Sequence, residues 1–367
     1  MTHSQHMKQE LTVIAVVGLL VLCGLGAGML RWYDVQTAGS WWLAATALWA
    51  LVVQQTAVRL SSNRRSPDSE PYPDLGAANT ISIARGWLIA ATGGFLLVPA
   101  PAPLLIWLAA ALYSVAAILD RIDGFVARRT DRSSLLGAEL DTVFDALGLL
   151  VAPLLAVQLG KIHPVYLLVS VAYYLFVLGL TVRQRRGDPV YPLAPSQLRR
   201  TLAGFQMGYV AVVLWPPFEA SITVPAGVGF MLPLLAGFVV DWCVVSGRLR
   251  MEDDLTQRVF STLERAVNAL LLPLLRVLIT VMLVMGVLPL EGVLLLLEWS
   301  AALLIVCGIL GRAGALMVLL MLAWTAPVLS PALFVLMYST IAIVLLGCGH
   351  FSLWQDDDEW VNRQDGA

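Results

Sequence analysis

The chain has 367 residues, of which 59% are hydrophobic and only 13% charged, with a formal net charge of −2. Soluble domains carry about 25% charged and about 45–50% apolar residues, so the composition excludes an ordinary soluble domain and points to an all-α polytopic membrane protein. A slightly acidic chain without a basic stripe or a base-stacking motif is no nucleic-acid binder.

In chain order, the first apolar run is 11–30, about 20 residues, enough to cross the hydrocarbon core as a helix. Only Lys8 supplies fixed positive charge upstream and a second apolar run follows at 40–58, so both read as retained spans rather than a signal peptide. Trp32, Tyr33, Trp41 and Trp42 cluster between them, as at a membrane–water interface. Residues 1–58 are therefore expected to form a two-helix membrane segment. The stretch RLSSNRRSPDSEPYPDLG is rich in Pro, Ser and charge, and 59–76 reads as a polar linker.

A core at 77–250 follows, with apolar runs near 78–99, 102–120, 138–159, 163–182, 202–218 and 222–247. Gly93–Gly94 and Gly204 are expected to permit close helix packing. A second polar linker occupies 251–266. Four shorter runs near 267–288, 291–310, 313–328 and 331–348 form a C-terminal membrane domain, 267–349, before an acidic tail, 350–367, containing QDDDEW. Twelve spans with both termini cytoplasmic place every arginine-rich loop on the cytoplasmic side, as the positive-inside rule requires. The four cysteines, Cys23, Cys243, Cys307 and Cys348, lie far apart in apolar segments and read as free thiols. His350 reads as interfacial, with no second ligand at metal spacing.

The chemistry lies in DRIDGFVARRTDRSSLLGAELDTVFD, residues 120–145. Asp120 and Asp123 are three apart, Asp141 and Asp145 four apart, so each pair shares a helix face. If the two helices are antiparallel neighbours joined by a loop of about 15 residues, all four carboxylates meet. At close range they repel one another unless cations neutralise them. Oxygen-only ligands select hard cations, Mg²⁺ or Mn²⁺. Gly124, Ala127 and Gly137 allow close approach to the backbone, and Arg128 offers a planar fork to a phosphate. Singly, each acid reads as a rim charge paired with Arg121, Arg128, Arg129 or Arg132; together they read as a site, since ionisable groups at membrane depth default to function.

The spacing DxxDGxxARx₈GxxxDxxxD resembles the signature of the CDP-alcohol phosphotransferases, and Asp120, Asp123, Gly124, Ala127, Arg128, Gly137, Asp141 and Asp145 fill its fixed positions. AANTISIAR, residues 77–85, is similar to the family's entry into its first helix, with Asn79, Ser82 and Arg85 in place and Ala78 where a proline is usual. The resemblance implies a six-helix core over about 74–247, here with two extra N-terminal and about four extra C-terminal transmembrane helices. It also implies a metal-dependent enzyme of phospholipid biosynthesis. Such an enzyme transfers a phosphatidyl group from a CDP-linked lipid, such as CDP-diacylglycerol, to an alcohol, releasing CMP. By this pattern Asp120, Asp123, Asp141 and Asp145 hold the metals and Asp145 is the catalytic base. Asn79, Asp120, Gly124, Ala127, Arg128 and Gly137 bind CDP. The resemblance implies a homodimer as well, and the arginine-rich loops put its site on the cytoplasmic face of the cell (inner) membrane.

The 183–200 loop carries Arg185, Arg186, Arg199 and Arg200, candidates for an acceptor phosphate, although the positive-inside rule accounts for arginines there too. The GKxKT-like pattern associated with phosphatidylglycerophosphate synthases is absent. Asp241 lies within the last core run, either at the acceptor pocket or as a partnered structural acid. The last four spans with LGCGHFSLW faintly resemble DoxX-like membrane proteins. Two other readings stay open: transfer from a soluble CDP-alcohol to a lipid acceptor, and a non-catalytic transporter or scaffold. Transporters usually show internal repeats and broken helices at matching positions, and none stands out.

Overall fold

In a computed structural model the described residues are 3–99, 102–193, 196–250, 253–325 and 328–354. They form thirteen α-helices and no strand, apart from an isolated bridge between Arg64 and Pro71. The described residues divide into two compact units: those up to Gly160 with Val210–Pro216, and Lys161–Tyr209 with the described residues after Pro216.

The first unit holds α1 (His3–Met29), α2 (Val35–Arg59), α3 (Gly76–Gly94), α4 (Pro103–Arg129) and α5 (Leu135–Gln158). In it α3 packs on α2, α4 and α5 and is the most buried of the five. Small residues make this possible. A Cβ on Gly86 would stand 2.7 Å from Val52 Cγ1, and one on Gly94 would run into the Trp41 ring, so α2 and α3 touch along their backbones. Indole donors tie α1 to its neighbours: Trp49 Nε1 donates to the Ala15 carbonyl at 3.0 Å and Trp87 Nε1 to Gly18 at 2.9 Å.

The ends of α4 and α5 differ from the sequence expectation. A loop of about 15 residues was expected between the aspartate pairs, yet α4 continues to Arg129 and α5 starts at Leu135, leaving only 130–134 as connector. Apolar runs mark the membrane, whereas helices end at caps. Arg128 and Arg129 occupy the last turn of α4, where basic side chains suit the helix dipole. Asp131 turns the chain with a left-handed φ of 51°, and the Ser134 hydroxyl caps α5 by accepting from Gly137 N at 3.0 Å.

The stretch 60–75 is a strap laid across this connector. The Arg64 carbonyl accepts from Leu135 N at 2.9 Å. Arg65 pairs with Asp131 at 2.9 Å and Asp74 with Arg132 at 2.8 Å. Arg132 also lies 5.1 Å over the Tyr72 ring, and the Tyr72 hydroxyl donates to the Ser133 carbonyl.

The second unit holds α6 (Leu167–Arg186), most of α7 (Gln197–Val213), α8 (Ala220–Val245), α9 (Asp254–Ala266), α10 (Leu272–Val284), α11 (Val293–Cys307), α12 (Gly311–Thr325) and α13 (Pro331–Leu346). Buried Gln206 accepts from the Tyr166 hydroxyl at 2.6 Å and donates to the Phe230 carbonyl at 2.7 Å. Gly204 has no neighbour within 4 Å of a Cβ placed on it, so the close packing expected there is absent. Arg276 is buried and donates to the carbonyls of Ile305, Val306, Cys348, His350 and Phe351, which fixes the LGCGHF segment against the end of α11. The QDDDEW tail lies outside the described residues.

Eight helical stretches among the described residues are long and apolar enough to cross a membrane. They are α1 to α6, α8, and the run Asp254–Val284 that joins α9 to α10 through a π-turn. The remaining four of the twelve expected segments are helical but short: α7 has 17 residues, α11 and α12 have 15 and α13 has 16. At 1.5 Å per residue, 15 residues reach about 23 Å, short of a hydrocarbon core about 30 Å thick. Positive-φ glycines at 308 and 347 end α11 and α13 inside runs that read as apolar.

Candidate active site

Three helices of the first unit supply the site. On α3, Asn79, Ser82 and Arg85 recur every third residue, so one face of an apolar helix carries an amide, a hydroxyl and a guanidinium, all buried. α4 supplies Asp120 and Asp123, and α5 supplies Asp141 and Asp145.

Arg85 is the hub. It has no exposed surface, and its guanidinium pairs with Asp120, with Asp141 at 3.1 Å and with Asp145 at 3.3 Å. Asp120, Asp141 and Asp145 each offer an oxygen within 4.8 Å of the others. One buried cation thus faces three partly exposed carboxylates, so acids outnumber the cation they share. Asp120 Oδ1 and Asp145 Oδ1 are buried and accept no well-formed hydrogen bond. An oxygen-only set of three clustered carboxylates fits a hard divalent cation. Metal identity is a separate matter.

Asp123, expected to be a fourth metal ligand, stands apart from that trio. Its Oδ2 accepts from the Ser82 hydroxyl at 2.8 Å and its Oδ1 from Gly124 N at 2.6 Å, and its side chain is buried against α3.

The residues expected to bind CDP fall into two groups. Gly124, Ala127 and Arg128 follow Asp123 on α4, and a Cβ on Gly124 would stand 3.0 Å from Arg128 Nη1, so the missing side chain lets the guanidinium fold back over the helix. Asn79 and Gly137 meet across α3 and α5: a Cβ on Gly137 would stand 3.0 Å from Asn79 Oδ1, and the Ser134 hydroxyl lies 3.3 Å from that oxygen.

The candidate acceptor arginines belong to the second unit. Arg185 and Arg186 are exposed at the end of α6. Arg199 on α7 pairs with Asp241 on α8 at 3.2 Å, which makes Asp241 a partnered acid, and Arg200 is exposed.

With this geometry in view, residues 75–244 match the family model described as CDP-alcohol phosphatidyltransferase. That segment is similar to the CDP-alcohol phosphatidyltransferases. The family's reaction is phosphatidyl transfer from a CDP-alcohol, so the match points to a transferase core among apolar helices of membrane-spanning length. No curated protein and no solved structure matches the chain. The matched segment contains Asp120, Asp123, Asp141 and Asp145, Arg85 and the Asn79 and Gly137 pair, and it excludes α1, α2 and most of the strap.

Sequence reasoning missed the role of Arg85 as common partner of three acids and the anchoring of Asp123 by Ser82. The signal was available in the three-residue spacing of polar groups along an otherwise apolar helix.

Proposed function

We propose that the chain transfers a phosphatidyl group from a CDP-linked lipid, such as CDP-diacylglycerol, to an alcohol and releases CMP. The observation that supports this best is the convergence of Asp120 from one helix with Asp141 and Asp145 from another, inside the segment that matches the family.

Asp145 is half-buried at the inner end of the trio and held at 3.3 Å by Arg85. In this reading it takes the proton of the acceptor hydroxyl as that oxygen attacks the β-phosphorus. The bond from phosphorus to the CMP oxygen breaks, and CMP carries away the displaced electron pair. General-base help of this kind contributes about 10²–10⁴ in rate. Asp120, Asp141 and Asp145, with Asp123 beside them, would hold Mg²⁺ or Mn²⁺. The ion would supply charge neutralisation for the pyrophosphate. Arg85 keeps the trio assembled while the site is free of substrate. Asn79, Gly137, Gly124, Ala127 and Arg128 shape the nucleotide side, with Arg128 offering a two-pronged donor to phosphate. Basic loops at 59–65, 121–132 and 183–200 support a site facing the cytoplasm from the cell (inner) membrane.

The test is CMP release from CDP-diacylglycerol by purified protein across a panel of alcohols with Mg²⁺ or Mn²⁺. Asp145→Asn should keep binding the donor while losing about two orders of magnitude or more in turnover. Turnover equal to the parent would remove Asp145 as base. CMP release from soluble CDP-alcohols alone would reverse donor and acceptor classes.

A further inference from the structure

Asn63 belongs to the strap, outside the matched segment, yet it is fully buried and bonded to a pocket residue. Its Oδ1 accepts from Asn79 Nδ2 at 3.0 Å, and its own Nδ2 donates to the Asp74 carbonyl at 2.8 Å. Asn79 Nδ2 gives its second hydrogen to the Leu75 carbonyl, also at 2.8 Å. Both amide hydrogens of Asn79 are thereby committed, and its oxygen accepts from the Ser134 hydroxyl at 3.3 Å beside Gly137. The alternative orientation, turned by 180°, would aim an NH₂ group at the Gly137 backbone and leave the Asn63 oxygen buried against another acceptor. An unsatisfied buried polar group costs about 1–3 kcal/mol.

The strap is fixed independently at both flanks of Asn63. The Asn63 carbonyl accepts from Tyr72 N at 2.8 Å, the neighbouring Arg64 carbonyl holds Leu135 N, and Arg59 pairs with Glu139 at 3.5 Å. Asn63 is therefore placed by the start of α5, the same element whose Gly137 faces Asn79. A passive linker would touch neither.

We propose that Asn63 is a positioning residue for the nucleotide side of the site. Lent by the segment preceding the matched domain, it selects the amide orientation of Asn79 and so sets which donors and acceptors a cytidine nucleotide meets beside Gly137. This makes α2 and the strap a working part of the transferase. The inference rests on the reading of Asn79 and Gly137 as pocket residues.

The experiment is binding of CDP to the full-length chain in detergent, with thermal unfolding of the same samples. Asn63→Ala should weaken CDP binding about tenfold, the effect of roughly one buried hydrogen bond. Asn63→Asp keeps the acceptor for Asn79, and its protonated oxygen can still donate to Asp74, so it should restore binding to within about twofold of the parent. On an Asn79→Ala background, Asn63→Ala should add no further weakening, because the residue acts through Asn79. If Asn63→Ala does not accumulate folded, Asn63→Ser, which keeps one polar group but is too short to reach Asn79, carries the same expectation. A lowered unfolding temperature with unchanged CDP affinity would overturn the inference, as would full additivity with Asn79→Ala. A parent chain that fails to bind CDP would overturn the proposed function itself, whereas a parent that binds it alongside an equally tight Asn63→Ala defeats only the inference.

Discussion

Arg85 on α3 and Asp141 on α5 lie 3.1 Å apart, and the same guanidinium reaches Asp120 on α4 and Asp145 one turn along α5. A single buried cation thus bridges the three helices that build the site. Arg85→Ala should lower stability, because it leaves three clustered carboxylates facing one another without their shared cation. Arg85→Lys should recover only part of this, since an ammonium is a point charge and lacks the fork that spans several acids. Thermal unfolding of the two variants beside the parent checks both statements.

Asp123 and Asp120 are predicted to separate in their effect on metal binding. Asp123 is held by Ser82 at 2.8 Å and lies outside the trio. Asp120→Asn should weaken Mn²⁺ binding, followed by its paramagnetic resonance signal, more than Asp123→Asn does. Ser82→Ala should destabilise the protein by about 1–3 kcal/mol, the cost of leaving a buried acceptor without its donor. Equal loss of Mn²⁺ binding in Asp120→Asn and Asp123→Asn would put Asp123 in the ligand set.

The aspartates were legible in the sequence because chemistry fixes their spacing: acids three and four apart must share a helix face. The all-helical architecture followed from hydropathy. What hydropathy could not report was where helices end, because α4 runs two turns beyond its apolar stretch and α11 stops at Gly308 within one. The strap was equally opaque. Its Pro, Ser and charged residues suit a linker, and only the fold shows Asn63 turned onto α3, Arg64 onto the start of α5 and Asp74 onto the connector between α4 and α5.

Gly86 should tolerate no side chain. A Cβ there would press on Val52 at 2.7 Å and Phe144 at 3.3 Å, so Gly86→Val must part α2 from α3 just one residue from Arg85. Overpacking of this kind costs about 1–3 kcal/mol. CMP release should fall along with the unfolding temperature, and an unchanged unfolding temperature would show that α2 and α3 are not in contact there.

Arg199 and Asp241 form a pair in the second unit, with the Asp241 side chain 13% exposed. Arg199→Ala should destabilise more than Arg199→Ala/Asp241→Ala, because the double variant removes the orphaned carboxylate. Unfolding of the single and double variants decides this. Strict additivity would mean that the two side chains do not interact.

The most direct measurement of the central claim is CMP release from CDP-diacylglycerol by the purified full-length chain at saturating Mn²⁺, compared between the parent and Asp141→Asn. The parent should release CMP only when the metal is present. Asp141→Asn should retain the fold, by unchanged helical circular dichroism, and lose activity by about 10² or more. Metal-independent release, or an Asp141→Asn protein as active as the parent, would contradict the claim that these carboxylates act together in the transfer.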